Sequence, residues 1–228
     1  MIRAIFFDYG GTLDADGIPW KQQFQTIYES IGLEFSQEKF DRAFYDADDS
    51  LTAQDLKQAS FLETISEQAK RVLINLNSFE VELHKKIVQS FDRHTQNQIN
   101  KNRKILETFK QKYKLGIISN FYGNLEQFIK DLGLSHLFDV LADSNRVGCL
   151  KPDIKIFQYA INFIKIKPNE CVMIGDSQAR DMLGAKQIGM HHIWLVPPHR
   201  LSSSTPCCPS DMIISSLSEA VPIVEHLS

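Results

Sequence analysis

Three short apolar runs in this chain each stop abruptly at a polar residue, and no other sequence feature constrains the fold as much. Ile2-Arg3-Ala4-Ile5-Phe6-Phe7 ends at Asp8, Leu115-Gly116-Ile117-Ile118 at Ser119-Asn120, and Cys171-Val172-Met173-Ile174 at Gly175-Asp176. Short, nearly continuous apolar runs bounded by turn residues mark strands buried on both faces. Helical periodicity fills the gaps between them. Leu125, Phe128, Ile129 and Leu132 share one helix face that closes at Gly133, and Ile154, Phe157, Ala160, Ile161 and Ile164 mark a helix entered through Pro152. Further strands are expected at residues 138–141, 192–196 and 212–214, followed by a terminal helix. Strands alternating with helices predict an α/β fold: a three-layer, Rossmann-like parallel sheet covered on both faces. A strand order of about 3-2-1-4-5 puts Asp8 between the strands ending at Ser119 and Asp176.

Between the first and second strands the character changes. The stretch is polar, and apolar residues recur at helical spacing, as at Phe24, Ile27, Tyr28 and Ile31, then Phe61, Ile65, Ala69, Val72 and Leu73. Four or five amphipathic helices are expected there, with Gly32 as a C-cap and Ser36 as an N-cap. This predicts an inserted α-helical cap domain at residues 17–98, a core domain made of residues 1–16 and 99–228, and hinges near residues 14–20 and 98–103. Trp20 opens the insertion, either as an anchor of its core or at the entrance to a site. Phe44 and Tyr45 are candidates for a dimer contact, and Asp46, Asp48 and Asp49 read as a solvated acidic face or a site for an extra cation.

The 228 residues, 43% of them hydrophobic, are enough to bury a core. A net charge of -3 with interspersed signs excludes a basic stripe for nucleic acid and a polybasic membrane patch. Residues 2–7 are too short to span a bilayer and lack the flanks of a secretory signal, so the chain is read as cytoplasmic. Cys149, Cys171, Cys207 and Cys208 form no CxxC pair and suggest neither a disulfide framework nor a metal site; Cys171 reads as a core residue.

Polar residues at three strand ends define a crevice, because open parallel sheets bind ligands beyond the carboxyl ends of their strands. Asp8 and Asp176 can share Mg²⁺, a hard cation that takes one or two carboxylates plus phosphate oxygens. Thr12 and the backbone after Gly10-Gly11 offer donors to a phosphate, Ser119 does the same, and Lys151 can neutralise remaining charge. Phosphoryl transfer depends largely on positioning and charge stabilisation, and a carboxylate can serve as its nucleophile.

These residues carry a resemblance. Asp8-Tyr9-Gly10-Gly11-Thr12-Leu13, Ile118-Ser119-Asn120, Lys151-Pro152-Asp153 and Gly175-Asp176-Ser177…Asp181 resemble, in order and spacing, the four motifs of the haloacid dehalogenase-like (HAD) hydrolase superfamily. The helical insertion resembles the cap of its subfamily I. The resemblance implies a Mg²⁺-dependent phosphatase acting on a small phosphorylated metabolite through an aspartyl-phosphate. Asp8 is then nucleophile and metal ligand, the Gly10 carbonyl and Asp176 are further ligands, and Asp181 orients the metal shell. Thr12, Ser119 and Lys151 hold the phosphoryl group, with Gly11, Asn120 and Phe121 at substrate-binding positions.

One position departs from the pattern. Phosphatases of the family carry an acid/base Asp two residues after the nucleophile, and here that residue is Gly10. General acid–base catalysis contributes ~10²–10⁴-fold, so the replacement bears on activity, while a backbone carbonyl at 10 leaves metal binding intact. Three readings follow: a phosphatase that is slow, acts on esters with good leaving groups, or takes its proton from Asp14, Asp16 or a cap residue; a phosphonate-cleaving hydrolase using Lys21, Lys39, Lys57 or Lys70 as a Schiff-base lysine; or a non-catalytic phosphate- or partner-binding relative. The presence of Asp176 argues against a metal-free dehalogenase.

Overall fold

The apolar runs pair side by side in the computed structural model, which describes residues 1–51, 53–203 and 212–227. Strands β1 (Ala4–Phe7), β2 (Lys114–Ser119), β3 (Val140–Asp143), β4 (Cys171–Gly175), β5 (His191–Leu195) and β6 (Met212–Ile214) form one sheet in the order β3-β2-β1-β4-β5-β6. Every adjacent pair is parallel. The expected order is present and is extended by β6 at one edge. Strand β3 starts two residues later than residues 138–141 suggested, because a 3₁₀ turn at Ser135–Leu137 consumes the approach and Phe138 packs edge-on against Phe7.

Between β1 and β2 run α1 (Trp20–Ser30), α2 (Gln37–Ser50), α3 (Ala53–Leu56), α4 (Phe61–Asn75) and α5 (Val81–Lys110). Ser36 caps α2 through its side chain, and Ser60 with Glu63 forms a reciprocal capping box on α4. The remaining helices are α6 (Leu125–Asp131), α7 (Ser144–Val147), α8 (Ile154–Ile164), α9 (Leu183–Ile188) and α10 (Ala220–Leu227), with a π-helical turn at Gln178–Met182 ahead of α9. One sheet face packs on α8 and α9 through Phe6, Met173, Phe157 and Ala185. The other face shares a continuous core with the insertion, α6 and α10.

The expected boundary at 98 and hinge at 98–103 fall inside a helix. Ile87, Phe91, Thr95, Ile99, Asn102, Leu106 and Phe109 continue one buried stripe of α5 without a breaker, so a single 30-residue helix runs from the insertion to the sheet. Asn102 Nδ2 donates to the Leu13 carbonyl at 2.9 Å, tying this helix to the loop after β1. Phe44 is buried in the insertion and so is no candidate for an exposed dimer contact, whereas Tyr45 is exposed. Cys171 lies in the core, where burial pushes its thiol up to about 12; Cys207 and Cys208 lie outside the described residues. Among the described residues no helix is long and apolar enough to cross a membrane.

Candidate active site

Strand register assembles the site. Phe7 lies level with Ile117 on one side and Ile174 on the other, so Asp8, Ser119 and Asp176 emerge from adjacent strand ends within about one residue of each other. Ser119 Oγ donates to Asp8 Oδ1 at 2.7 Å, and Lys151 Nζ lies 2.7 Å from the same oxygen. Both contacts fall on Oδ1 and leave Oδ2 to other chemistry. Lys151 is also 2.6 Å from Asp181 Oδ1, and the second oxygen of Asp181 accepts from the Ser177 N–H at 2.9 Å. Burial opposes the charge on Lys151, but Asp181 and Asp8 outweigh it and hold its pKa above the usual lysine value.

Asn120 pins the lysine's backbone. Its Nδ2 donates to the Lys151 carbonyl at 3.2 Å, and its Oδ1 accepts from the Lys151 N–H at 2.7 Å. Asn120 therefore lines the cavity while its amide positions Lys151. Phe121 also lines the cavity and packs edge-on against Tyr9 and Phe128 at 5.8 and 4.9 Å.

The cavity above Asp8 holds about 270 Å³. Asp8, Gly10, Ser119, Asn120, Phe121, Tyr122, Lys151 and Arg180 come from the sheet side, and Pro19, Trp20, Lys21, Phe44, Tyr45 and Asp48 from the insertion and the loop leading into it. Trp20 has both expected roles: its ring meets Phe91 and Phe121 at 5.7 and 6.0 Å, and it forms part of the wall.

Gly11 and Thr12 take different places from those expected. The Gly11 N–H donates to Asp14 Oδ1 at 2.6 Å and the Thr12 N–H to the Tyr9 carbonyl at 3.2 Å. Both N–H groups are thus closed into the turn instead of facing a phosphate, and neither residue is on the cavity wall. Thr12 is fully buried and its hydroxyl has no partner among the described residues. Gly11 has φ of +86°, and a Cβ there would stand 2.6 Å from Asp176 Oδ2, so only glycine lets the loop pass this carboxylate.

Residues 5–195 match the family model for the haloacid dehalogenase-like hydrolases. The chain belongs to this family. Haloacid dehalogenase-like hydrolase domain-containing protein 3 of Bos taurus is 34% identical over 119 residues, 52% of this chain and 47% of that protein. Glyceraldehyde 3-phosphate phosphatase of Methanothermobacter thermautotrophicus is 41% identical over 83 residues, 36% of each chain. The chain therefore matches about half or less of the length of these curated relatives. In fold it resembles a HAD phosphatase from Thermococcus onnurineus, with a TM-score of 0.60 over 98% of both chains at 23% identity.

In this HAD-like hydrolase, Asp8, Asp176 and Asp181 bring one carboxylate oxygen each within 4.8 Å of one another. Asp176 Oδ1 is buried and has no partner among the described residues. Burial, then Asp8 and Asp181, push its pKa well above the usual carboxylate range. A buried orphan oxygen facing two further carboxylates is a donor set that suits a hard divalent cation. Asp181 differs from the other two in having both oxygens already engaged, by Lys151 and Ser177.

Three features escaped the sequence reading. Asp143 sits level with Ser119 at the end of β3 and gathers the N–H groups of Gly123, Leu125 and Asn145 at 2.9–3.1 Å, which fixes the loop after Ser119. Arg180 and Asp48 reach the cavity from the π-helical turn and from α2. Of the candidate replacement acids, Asp14 and Asp16 do not line it. Asp14 is buried, with its oxygens held by Gly11, Trp20 and Gln23, and Asp16 faces Gln98 and Lys101.

Proposed function

We propose that this hydrolase cleaves a small phosphoric monoester through an aspartyl-phosphate on Asp8, with Mg²⁺ bound at Asp8, Asp176 and the Gly10 carbonyl. The observation that carries the reading is the Asp8 carboxylate. One of its oxygens is held by Ser119 and Lys151 at 2.7 Å each, at the floor of a cavity of about 270 Å³. That volume suits a small metabolite. The likeness to a glyceraldehyde 3-phosphate phosphatase supports the same substrate class.

Mg²⁺, when bound, neutralises phosphate charge and polarises the phosphoryl group. The chain's own residues do the rest. Ser119 and Lys151 orient Asp8 and bind the transferring oxygens, Asn120 holds Lys151 in register, and Asp181 keeps its ammonium aimed at the site. The helical insertion, residues 17–98, acts as a cap that closes the cavity and excludes water.

Phosphonate cleavage is the second reading, and one observation favours it: of the four candidate lysines, Lys21 lines the cavity. Its amine is 2.7 Å from Asp41 and faces the Tyr45 ring at 5.3 Å, so attack on a carbonyl first requires breaking that ion pair. Phosphate release from a panel of phosphomonoesters, with and without Mg²⁺, tests the main reading. Wild type should turn over with Mg²⁺, and Asp8→Asn should be inactive while remaining folded. An inert, folded wild type across the panel contradicts it.

A further inference from the structure

Position 10 supplies no acid, and the space for one is occupied. A Cβ on Gly10 would lie 3.1 Å from Trp20 Nε1, so the indole stands where an acidic side chain would extend. Among the described residues that line the cavity, two carry carboxyl groups: Asp8 on the floor and Asp48 on the insertion. Asp48 is half-buried in the last turn of α2, and the Tyr122 hydroxyl, from the loop after β2, donates to its Oδ1.

We propose that Asp48 is the catalytic acid and base of this site, replacing the side chain that Gly10 lacks. The inference rests on the aspartyl-phosphate reading above. Asp8 attacks phosphorus, the bond from phosphorus to the leaving oxygen breaks, and that oxygen takes the proton of the Asp48 carboxyl to leave as an alcohol. The Asp48 carboxylate then takes a proton from water as the water oxygen attacks phosphorus. The bond from phosphorus to Asp8 breaks, inorganic phosphate leaves, and Asp48 is protonated again.

Local chemistry suits the role. The C-terminal end of a helix disfavours an anion, and α2 has no basic residue in its last turn. Burial is the largest influence raising the Asp48 pKa, and Asp49 on the same helix adds to it; the Tyr122 hydrogen bond and Arg180 of the π-helical turn act the other way. Lys21 of α1 shares the wall, held by Asp41. Leaving-group protonation needs the neutral carboxyl, and a raised pKa favours that form. Because Tyr122 occupies Oδ1, Oδ2 is left for the substrate.

The competing role for Asp48 is a latch between the insertion and the loop after β2, and leaving-group dependence separates the two. The measurement is kcat/KM across substituted phenyl phosphates, from p-nitrophenyl to unsubstituted phenyl, for wild type, Asp48→Asn, Tyr122→Phe and Asp8→Asn. The value for p-nitrophenyl phosphate, whose leaving group needs little protonation, should fall less than ~10-fold in Asp48→Asn. The phenyl ester should lose ~10²–10³-fold, within the span of acid catalysis. A burst of p-nitrophenolate should also precede slow turnover, because the phosphoenzyme has lost its base. Tyr122→Phe, which breaks the latch but keeps the acid, should retain the shallow wild-type dependence. Equal losses on every ester in Asp48→Asn, no loss at all, or the same steepening in Tyr122→Phe overturns the assignment. Asp8→Asn that still turns over, or a wild type inert on the whole series, overturns the underlying reading instead.

Discussion

The Trp20 indole N–H donates to Asp14 Oδ2 at 2.5 Å, and this bond holds the ring against position 10. Restoring the family's Asp at that position therefore meets a wall. Gly10→Asp is expected to lower stability by about 1–3 kcal/mol through overpacking and to bring no gain in phosphate release. Trp20→Ala removes the obstacle and carries its own cavity cost of about 3–5 kcal/mol. In urea unfolding, the double variant should be more stable than the sum of the two single losses, because the clash is gone. Strict additivity would show that Trp20 does not fill the space.

Asp14 gives the fold a pH dependence of known sign. Burial pushes its carboxyl from 3.8 up to about 7, against hydrogen bonds from Trp20, Gly11 and Gln23 that favour the anion. The folded state then holds a proton that the unfolded chain releases. This contribution is fully present below about pH 4 and is lost as pH rises to about 7. At ~1.4 kcal/mol per unit it amounts to about 4 kcal/mol at most. Urea midpoints at pH 5 and pH 8 should differ less in Asp14→Asn than in wild type. An unchanged difference would place the titration elsewhere.

Lys151 is the buried cation among three acids. Lys151→Met leaves Asp8 and Asp181 without their partner, and losing one side of a buried ion pair costs about 3–5 kcal/mol. Mg²⁺ should recover part of this loss, since a ligand at 100 times its Kd stabilises by about 2.7 kcal/mol. In thermal unfolding, Mg²⁺ should raise the Tm of wild type and raise that of the variant further. No Mg²⁺ shift in either protein contradicts the metal assignment.

Asn102 joins α5 to the active-site loop through the Leu13 carbonyl, buried from solvent. Asn102→Ala should cost about 1–3 kcal/mol in urea unfolding, the price of an orphaned buried carbonyl. If the link also positions Asp8, kcat should fall at unchanged KM.

The sheet was legible because buried strands leave unbroken apolar runs, and Asp8, Ser119 and Asp176 because each ends such a run. Asp143 was hidden, since it lies two residues beyond the strand expected at 138–141 although it completes β3. The expected boundary at 98 falls inside α5, where a polar stretch conceals the buried positions Ile99 and Asn102 of a helix that continues. The place of Asp48 and Arg180 at the cavity was not legible for a different reason. They reach the cavity only because α2 folds over the loops after β2 and β4, a tertiary contact that no local spacing encodes. The turn itself uses the N–H groups of Gly11 and Thr12, while the Thr12 hydroxyl, also expected to donate to phosphate, has no partner among the described residues.

The central claim is that Asp8 accepts the phosphoryl group. Mixing the protein and Mg²⁺ with p-nitrophenyl phosphate, quenching in acid within one turnover and mapping the modified peptide by mass spectrometry tests this directly. A phosphoryl group is expected on the peptide containing Asp8, absent in Asp8→Asn and accumulating in Asp48→Asn. Phosphate release with no modified peptide, and with undiminished turnover in Asp8→Asn, would contradict it.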